Sequence, residues 1–164
     1  MDNSVDQPIK TYLTWGDVFY IEFDIIVNKL PILPMGIWTN IFHFSAGGAD
    51  NANYGDRIPA VFIHNNGLDY SYIQIASAVS GNKNHIVDVQ FSVGILYKIT
   101  IRQYKDFHGQ HWFEVLVNNK SYKKIVNSQP KIFRNVKLYV SNPWMSSFTA
   151  DFGNVCNLII RHHQ

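Results

Sequence analysis

The segment "VFYIEFDIIV" alternates apolar and polar side chains over most of its length, and this period of two restricts the fold more than any other feature. In an extended chain one face would carry the apolar residues Phe19, Ile21, Phe23, Ile25 and Val27. The other face would carry Tyr20, Glu22 and Asp24. Such alternation is typical of an antiparallel strand with one buried face, and no segment shows a sustained helical period.

Further segments with the same alternation follow, and each is bounded by residues that favour turns. They include "GIWTNIFHFSA", "IPAVFIH", "LDYSYIQIASA", "HIVDVQF", "ILYKITIRQY", "HWFEVLVNN", "VKLYVS" and "NVCNLIIR". The tripeptide "NNG" between two of them predicts a hairpin, because Asn and Gly accept positive φ. About ten or eleven short strands at this spacing predict an all-β sandwich or barrel.

The composition favours strands over helices and one domain over two. Of the 164 residues, 46% are hydrophobic, 15% are aromatic and only 16% are charged. Sixteen Asn stand against two Glu, and Asn prefers turns whereas Glu suits exposed helix faces. No linker or repeat interrupts the chain, so we expect one β-sandwich domain over residues 10–161 between two tails, 1–9 and 162–164.

Charge and hydropathy argue against several classes of function. The formal charge is +2 and the basic residues are scattered, whereas nucleic-acid binding needs clustered Lys and Arg. No apolar run approaches the roughly 18 residues of a membrane span. The polar start "MDNSVDQPIK" is not a signal peptide, although a chain that begins after a removed signal would read the same. The single cysteine, Cys156, has apolar neighbours and is expected to be a small buried side chain.

The order of these segments resembles the concanavalin A-like jelly roll, the sandwich of legume lectins, galectins, pentraxins and laminin G-type modules. The resemblance spans about residues 10–161 and rests on "YIEFDIIV", "WTNIFHFSAGG" with "GDRIPAVFIHNNG", the hairpin "ILYKITIRQY…HWFEVLVNNKSY" and "VKLYVSNPW". It implies an antiparallel β-sandwich with binding loops at its rim. The segment "IFHFSAGG" lacks the His-x-Asn-x-Arg pattern of galectins and no Trp-Gly-x-Glu follows, so galactose binding of the galectin type is not implied.

Glycoside hydrolysis, which the same jelly roll supports in glucanases, requires two carboxylates, one as an acid and one as a nucleophile or base. Glu22 and Asp24 share a strand face, but Val27 stands where the glucanase pattern Glu-x-Asp-x-x-Glu has its second Glu. Glu114 is far along the chain, and no "GxSxG" elbow is present. We therefore expect no enzymatic activity, with a glycoside hydrolase as the weaker alternative.

The glycine-bounded loop "GGADNANYGD" gathers oxygen ligands of the hard type that Ca²⁺ prefers. It contains Asp50, Asn51, Asn53 and Asp56. The spacing is not that of an EF-hand, and a hydrogen-bonded turn without metal explains the same residues. Laminin G-type modules often hold Ca²⁺ at a rim loop, so the resemblance lends support to a calcium site with Asp50 and Asp56 as ligands.

Recognition of a sugar needs planar amide and carboxylate groups for pairs of hydroxyls, and an aromatic face for the apolar side of the ring. Loop and strand-end residues supply these groups: Asp56, Arg57, His64, Asn66, Asn142 and Trp144. In this hypothesis Asp56 and the Asn amides bond hydroxyls, Arg57 donates as a fork and Trp144 stacks on the ring. Plain structural explanations remain open: Trp144 covers a sandwich edge, Asn66 serves only the turn, and Asp56 with Arg57 is a surface ion pair.

The sequence therefore predicts a non-enzymatic, lectin-like module that binds glycans or glycoproteins at the rim of the sandwich. The alternative is a laminin G-like module for protein interaction or adhesion, which an exposed aromatic patch around Tyr70, Tyr72 and Tyr104 would favour. Lectins gain strength from multivalency, so a homo-oligomer formed through edge strands is a further expectation. We also expect the protein to be secreted or extracellular.

Overall fold

The computed structural model describes residues 7–30, 37–47, 50–65, 71–141, 144 and 146–163. These residues form twelve β-strands and no helix. One sheet, here sheet A, contains β1 (Lys10–Trp15), β3 (Ile37–Ser45), β4 (Ala60–Asn65), β5 (Ser71–Val79), β6 (Asn82–Gln90), β10 (Phe133–Val140) and β11 (Ser146–Ser147). Sheet B contains β2 (Phe19–Val27), β7 (Leu96–Lys105), β8 (His111–Val117), β9 (Lys120–Val126) and β12 (Gly153–His162).

The two sheets combine strands that are distant in the chain. Sheet A has the order β1-β10-β3-β4-β5-β6, with the short β11 beside β3, and sheet B has the order β12-β2-β7-β8-β9. All pairings are antiparallel except that of β11 with β3, which is parallel. The first two strands pair with late strands, β1 with β10 and β2 with β12. This arrangement confirms the predicted antiparallel β-sandwich.

The core lies between the sheets, on the faces that the alternation predicts. In β2 the inward side chains at positions 19, 21, 23, 25 and 27 are all buried, as the period of two requires. They meet core residues from the other sheet, and the Phe23 ring contacts that of Phe42 on β3 edge to face, 5.0 Å between centres. Apolar burial on both inner faces therefore holds the sandwich together.

Sheet A also buries a second, smaller group of side chains on the face that points away from the core. Val61 and Ile63 on β4 belong to the main core, whereas the intervening Phe62 forms a separate cluster with Ala60 and Ala76. Phe62 is nonetheless fully buried. The described part of the loop between β3 and β4, residues 46–47 and 50–59, is here the β3–β4 loop, and it contributes to the cover because Arg57 lies over the Phe62 ring.

Specific contacts join the sheets along both sides of the sandwich. On one side the Tyr122 hydroxyl of β9 donates to the Asp88 carbonyl of β6 at 2.9 Å, and the Ser80 amide donates to Oδ1 of Asn127 at 2.8 Å. On the other side the His162 ring of β12 stacks on the Trp15 indole of β1, with 5.0 Å between ring centres. These contacts fix the two sheets relative to one another.

Three details differ from the sequence-based expectations or fall beyond what is described. His162, expected in the C-terminal tail, is the last residue of β12. The expectation that Cys156 is buried is wrong: its side chain is exposed, because β12 is an edge strand whose register shifts between Cys156 and Ile159. In the predicted "NNG" turn, Asn65 is the last residue of β4, whereas Asn66 and Gly67 lie outside the described residues. Within the described ranges, no helix is long and apolar enough to cross a membrane.

Candidate functional site

Arg57, at the end of the β3–β4 loop, is a buried guanidinium whose donors are taken up by protein groups. Its Nη2 lies 2.7 Å and 2.8 Å from the two carboxylate oxygens of Asp50, and its Nε lies 3.2 Å from Oδ1. Nη1 donates to Oδ1 of Asn84 on β6 at 2.7 Å. The Arg57 side chain is 8% exposed and that of Asp50 is 31% exposed. Arg57 therefore fixes the loop to β6 and leaves the Asp50 carboxylate at the surface.

The guanidinium also seals the outer face of sheet A. Its central carbon lies 4.9 Å from the centre of the Phe62 ring, which is a favourable cation–π geometry. A further contact holds the loop in the same place, because the Lys83 ammonium donates to the Ala52 carbonyl at 3.0 Å. The sequence proposed Arg57 as a donor fork for a sugar, whereas the structure shows it engaged with Asp50, Asn84 and Phe62.

Asp56 points into the protein and not to the rim. It is 1% exposed, and its Oδ2 accepts a hydrogen bond from the Asn53 amide at 2.6 Å. A Cβ atom at Gly47 would lie 1.9 Å from Oδ1 of Asp56, so only glycine leaves room for this carboxylate. The buried carboxylate thus shapes the β3–β4 loop.

Trp144, the predicted stacking platform, lies near this loop and is half-buried. Its ring is 4.7 Å from that of His43 and 5.0 Å from that of Tyr139. His43 in turn donates from Nε2 to the carbonyl of Asp56. The structure therefore brings Trp144 and Asp56 to the two sides of one histidine. Two more of the predicted residues, Asn66 and Asn142, lie outside the described residues.

His43 itself is fixed in the neutral state by its surroundings. Burial lowers the pKa of this imidazole from 6.5 to about 4, and the hydrogen bond to the Asp56 carbonyl opposes that shift only in part. Its ring also contacts the Phe62 ring edge to face, 5.9 Å between centres. His43 is a structural group of the outer face and has no open access to solvent.

A more accessible aromatic group stands on the same face, on strands where the sequence had placed only one candidate, His64. The Trp38 indole stacks on the His64 ring with 4.6 Å between centres and an angle of 7°. Its Nε1 donates to Oε1 of Gln74 at 2.8 Å, and Nε2 of Gln74 donates to Oδ1 of Asp88 at 2.8 Å. Trp38 is 37% exposed. One chain of hydrogen bonds and one stacked ring thus hold an indole that is still open to solvent.

These groups surround a pocket of about 210 Å³, here the Trp38 pocket. Its lining residues are Trp38, Asp50, Asn51, Arg57, Gln74, Asn84 and Ile86. The volume is below the roughly 300–1,000 Å³ of sites for drug-sized ligands, so the pocket suits one ring of a longer molecule. Sequence reasoning missed Trp38, Gln74 and Asn84. The sequence indicated these residues only in part: the alternation of the predicted strands places Trp38 and Gln74 on the face that points away from the core.

Asp50 and Asp56, the two residues predicted to bind calcium, lie in different environments. Both carboxylate oxygens of Asp50 accept from Arg57, whereas the Asp56 carboxylate is buried against Gly47. Among the described residues no group of three or more His, Cys, Asp or Glu side chains is arranged to hold a metal ion. Calcium binding stays a prediction.

The carboxylate pair considered for glycoside hydrolysis lies on the outer face of sheet B. Glu22 and Asp24 each lie 3.2 Å from the Lys98 ammonium. The pKa of Glu22 is lowered mainly by the hydrogen bond from the Tyr20 hydroxyl and, to a smaller extent, by Lys98. The pKa of Asp24 is lowered mainly by the Asn157 amide and, to a smaller extent, by Lys98. Desolvation opposes both shifts. A general acid for glycoside cleavage needs a raised pKa, so this pair does not supply one.

The aromatic patch that would favour a protein-interaction module is not formed by the described tyrosines. Tyr72 lies on β5 of sheet A, whereas Tyr104 lies on β7 of sheet B. The outward side chains of the two sheets point in opposite directions, so these tyrosines do not share a surface. Tyr70 lies outside the described residues.

Comparison with known proteins identifies the fold. No family model matches the chain, and no curated protein matches it. Among solved structures, a heptameric SAP-like pentraxin from Limulus polyphemus has a TM-score of 0.57 at 9% identity, covering 98% of this chain and 71% of the pentraxin chain. The alginate lyase Aly36B, in complex with an alginate tetrasaccharide, has a TM-score of 0.56 at 10% identity, covering 94% of this chain and 72% of the lyase.

These similarities correct one expectation. The sequence predicted a protein without enzymatic activity, and this is contradicted because a polysaccharide lyase shares the fold over nearly the whole chain. The prediction failed because it searched for glycoside hydrolase carboxylates only, whereas the scaffold also carries lyases. At identities this low, the similarity establishes the fold alone. The chain has the concanavalin A-like jelly-roll fold, which it shares with a pentraxin and with an alginate lyase.

Proposed function

We propose that the protein binds a polysaccharide on the outer face of sheet A, with one sugar ring in the Trp38 pocket. The observation that carries this proposal is the Trp38 indole, which is 37% exposed yet fixed by the His64 ring and by Gln74. A preorganised aromatic surface binds the apolar face of a sugar at low entropic cost. The Asp50 carboxylate and the Asn84 amide line the same pocket and supply polar groups for ring hydroxyls.

The charge balance of the pocket favours an uncharged ring. Arg57 is the cation among the lining residues, and its guanidinium already faces the Asp50 carboxylate at 2.7 Å. Asp88, behind Gln74, adds a second carboxylate close to the pocket. An anionic ring would meet Asp50 with no unpaired cation among the described lining residues of the pocket to offset the repulsion. Hydroxyl groups, in contrast, can donate to Asp50 without a charge penalty.

The surface beside the pocket suits a chain of rings. Trp38, His64, Tyr72 and Gln90 are successive cross-strand partners on β3, β4, β5 and β6, so their side chains share one face. Strands lie about 4.8 Å apart, and this row therefore spans roughly 14 Å across the sheet. That length accommodates several sugar rings, of which the pocket would take one.

The test is a binding experiment with three tryptophan variants. Wild-type protein, Trp38→Ala, Trp38→Phe and Trp112→Ala are titrated with soluble neutral and acidic polysaccharides by calorimetry, after circular dichroism has shown that each variant is folded. Loss of one stacked ring should weaken binding by about tenfold or more for Trp38→Ala. Trp38→Phe should lose less, and Trp112→Ala, on the outer face of sheet B, should bind like wild type. Equal binding by wild type and Trp38→Ala would refute the proposal.

Cleavage of the bound chain is a second candidate function. It is favoured by the fold shared with the lyase Aly36B and by the position of His64, an imidazole between Trp38 and Tyr72 on the proposed binding face. Imidazole is the side chain most often used for proton transfer near neutral pH. In this role His64 would remove the proton from the carbon next to the carboxylate of a uronic ring that lies beside the Trp38 pocket. The electron pair would form a C=C bond as the glycosidic C–O bond breaks, and the leaving oxygen would take a proton from the Tyr72 hydroxyl or from water.

A product assay separates cleavage from binding. The polysaccharides that bind are incubated with wild type and with His64→Ala, and new reducing ends and unsaturated sugar ends are measured. If the protein cleaves its ligand, His64→Ala should lose turnover by about a hundredfold or more while it keeps part of its affinity. Absence of product from every polysaccharide that the wild type binds would leave binding as the function and reject cleavage.

Three further features belong to the proposed role. Secretion or an extracellular location would give the protein access to polysaccharides outside the cell. Assembly into a homo-oligomer would strengthen weak single-site binding through avidity. Calcium at Asp50 would compete with Arg57 for the same carboxylate, so added Ca²⁺ would change glycan affinity if it bound there.

A further inference from the structure

A second pocket lies on the other sheet, where β2, β7 and β12 run side by side. It has a volume of about 380 Å³ and is larger than the Trp38 pocket. Its polar lining comes mainly from two arginines, two histidines and two tyrosines: Arg102, Arg161, His162, His163, Tyr20 and Tyr104. No carboxylate is among its described lining residues. The two pockets therefore differ in the charge they present.

The strand register places the two arginines on either side of one tyrosine. Tyr20 on β2 is the cross-strand partner of Arg102 on β7 and of Arg161 on β12. All three side chains consequently share the outer face of sheet B, and the arginine backbones are separated by two strand spacings, roughly 9–10 Å. The Arg161 guanidinium carbon lies 5.8 Å from the centre of the Tyr20 ring.

The two guanidinium groups are neutralised to different degrees. Arg102 donates to Oε2 of Glu114 through Nε at 2.9 Å and Nη2 at 2.6 Å. Glu22 and Asp24, which lie further along the same face, both pair with Lys98, and Glu22 also accepts from the Tyr20 hydroxyl. Arg161 forms no ion pair with any carboxylate among the described residues, which makes it the uncompensated cation of this pocket.

The C-terminal end of β12 adds two imidazoles to this pocket, with a lysine nearby. His162 and His163 line the pocket, and the Lys10 ammonium lies over the neighbouring Tyr12 ring at 4.7 Å. Burial lowers the pKa of His162, and the nearby Lys10 and His163 lower it further. His162 is therefore neutral near pH 7, and the positive charge of the pocket comes from its arginines.

We propose that this pocket is a binding site for a carboxylate or sulfate group carried on a ring. Arg161 supplies the uncompensated charge, Arg102 a second guanidinium, and the Tyr20 and Tyr104 rings an apolar surface for the ring that bears the anion. Guanidinium groups bind carboxylate and sulfate oxygens through paired hydrogen bonds. The site is distinct from the Trp38 pocket, and it does not depend on the function proposed for sheet A.

The experiment compares ligands that differ only in charge. Full-length protein at constant ionic strength is titrated with glucuronate, with glucose and with sodium sulfate, and the ring-proton signals of His162 and His163 are followed by NMR. Glucuronate should shift these signals saturably, sulfate should compete with it, and glucose should leave them in place. Competition by sulfate would assign the affinity to the anionic group, whereas glucuronate binding without such competition would assign the site to carboxylates on a ring.

Two arginine variants complete the test. Arg161→Gln should weaken glucuronate binding by about tenfold or more, because it removes the uncompensated cation. Arg134→Gln removes the same charge from an exposed position on β10 of sheet A and should change the affinity less than about twofold. Equal weakening by both variants would show a nonspecific charge effect and overturn the proposal. So would saturable shifts of the same signals by glucose.

Discussion

The outer faces of the two sheets follow the same strand alternation, but their charged side chains are arranged differently. On sheet A, Arg57 and Asp50 pair at the end of a covering loop and leave an indole and amides at the surface. On sheet B, Glu22 pairs with Lys98 and Arg102 with Glu114 on neighbouring strands, whereas Arg161 has no ion pair among the described residues. The loop over sheet A thus contributes charged and polar groups to a pocket, whereas the charged groups on the outer face of sheet B come from its own strands.

The covering loop explains the position of the Trp38 pocket. The β3–β4 loop leaves sheet A and returns to the adjacent strand, and its Asp50 reaches β6 through Arg57 and Asn84. The pocket forms between the loop and the sheet. The pocket of sheet B is instead lined by residues of β2, β7 and β12 and the residues next to them in the chain.

Removal of one arginine from each face should give the largest difference between them. Arg57→Ala leaves Asp50 and the Phe62 ring without their partner, and breaking a buried pair costs about 3 kcal/mol or more of unfolding free energy. Arg102→Ala removes a side chain that is 37% exposed and leaves the Glu114 carboxylate, which is 5% exposed, with Ser121 and Lys124 as its remaining partners. Because these partners still compensate Glu114, the loss should be smaller, about 1–2 kcal/mol. Urea denaturation of both variants measures this difference, and a greater loss for Arg102→Ala would reverse the comparison.

Acid should weaken the two faces over different pH ranges. The pKa of His43 on sheet A is about 4 in the folded protein and 6.5 as its ordinary value. The unfolded chain therefore binds more protons between these values, and stability should fall by up to about 3 kcal/mol as pH drops from 6.5 to 4. On sheet B the pKa values of Glu22 and Asp24 are lowered, so their contribution is lost only as pH falls below their ordinary values of 4.5 and 3.8.

A histidine variant distinguishes these two ranges. His43→Gln keeps a donor for the Asp56 carbonyl and should flatten the pH dependence of stability between about pH 4 and 6.5. Burial also lowers the pKa values of His85 and His162, so part of the slope in that range should remain. Thermal denaturation across pH, carried out on wild type and on His43→Gln, measures this difference. An unchanged slope in His43→Gln would show that His43 does not contribute.

Glycan affinity should depend on the Gln74 amide, which orients the Trp38 indole, and not on the Thr100 hydroxyl of sheet B. Gln74→Met keeps the volume of the side chain but removes the acceptor for Trp38 Nε1 and the donor to Asp88. The resulting freedom of the indole should weaken polysaccharide binding by about threefold to tenfold. Thr100→Val, which removes a hydroxyl that donates to Glu22 on sheet B, should leave affinity unchanged. Calorimetric titration of both variants measures the contrast.

The smallest expected effect is that of salt on the charge network of sheet B. Lys98 is 34% exposed and lies 3.2 Å from Glu22 and from Asp24. Lys98→Met should lower the melting temperature only slightly at low salt, and the difference from wild type should shrink at high salt because exposed pairs are screened. Melting curves at the two salt concentrations test this. A difference that grew with salt would mean that the network is not held by exposed ion pairs.

The fold could be predicted because it depends on local pattern. The period of two in β2 identifies the buried face of Phe23 without any knowledge of the partner strand, since each residue's side depends only on its own position. Turn residues then separate the strands. The identity of neighbouring strands in each sheet is not local information, and the pairing of β2 with β12 could not be read from either segment.

The site was predictable only in outline. The sequence directed attention to the loop that contains Asp50 and Arg57, and this loop does line the pocket. The sequence did not show that Arg57 is paired with Asp50. It also did not show that Trp38 on β3 and Gln74 on β5 complete the pocket. Those relations depend on register across several strands. A polar residue beside a turn, such as Asp56, can equally be a ligand or a buried support, and only the tertiary contacts decide between them.

The pairing of the first strands with the last has a consequence for the speed of folding. Asn157 bonds Asp24 across a separation of 133 residues, and β1 depends in the same way on β10. Neither sheet is complete until the chain has closed these long loops, which places the domain among slow, high-contact-order folders. During synthesis, the early strands would therefore leave the ribosome with exposed edges, and until their partners emerge these edges are open to pairing with other chains.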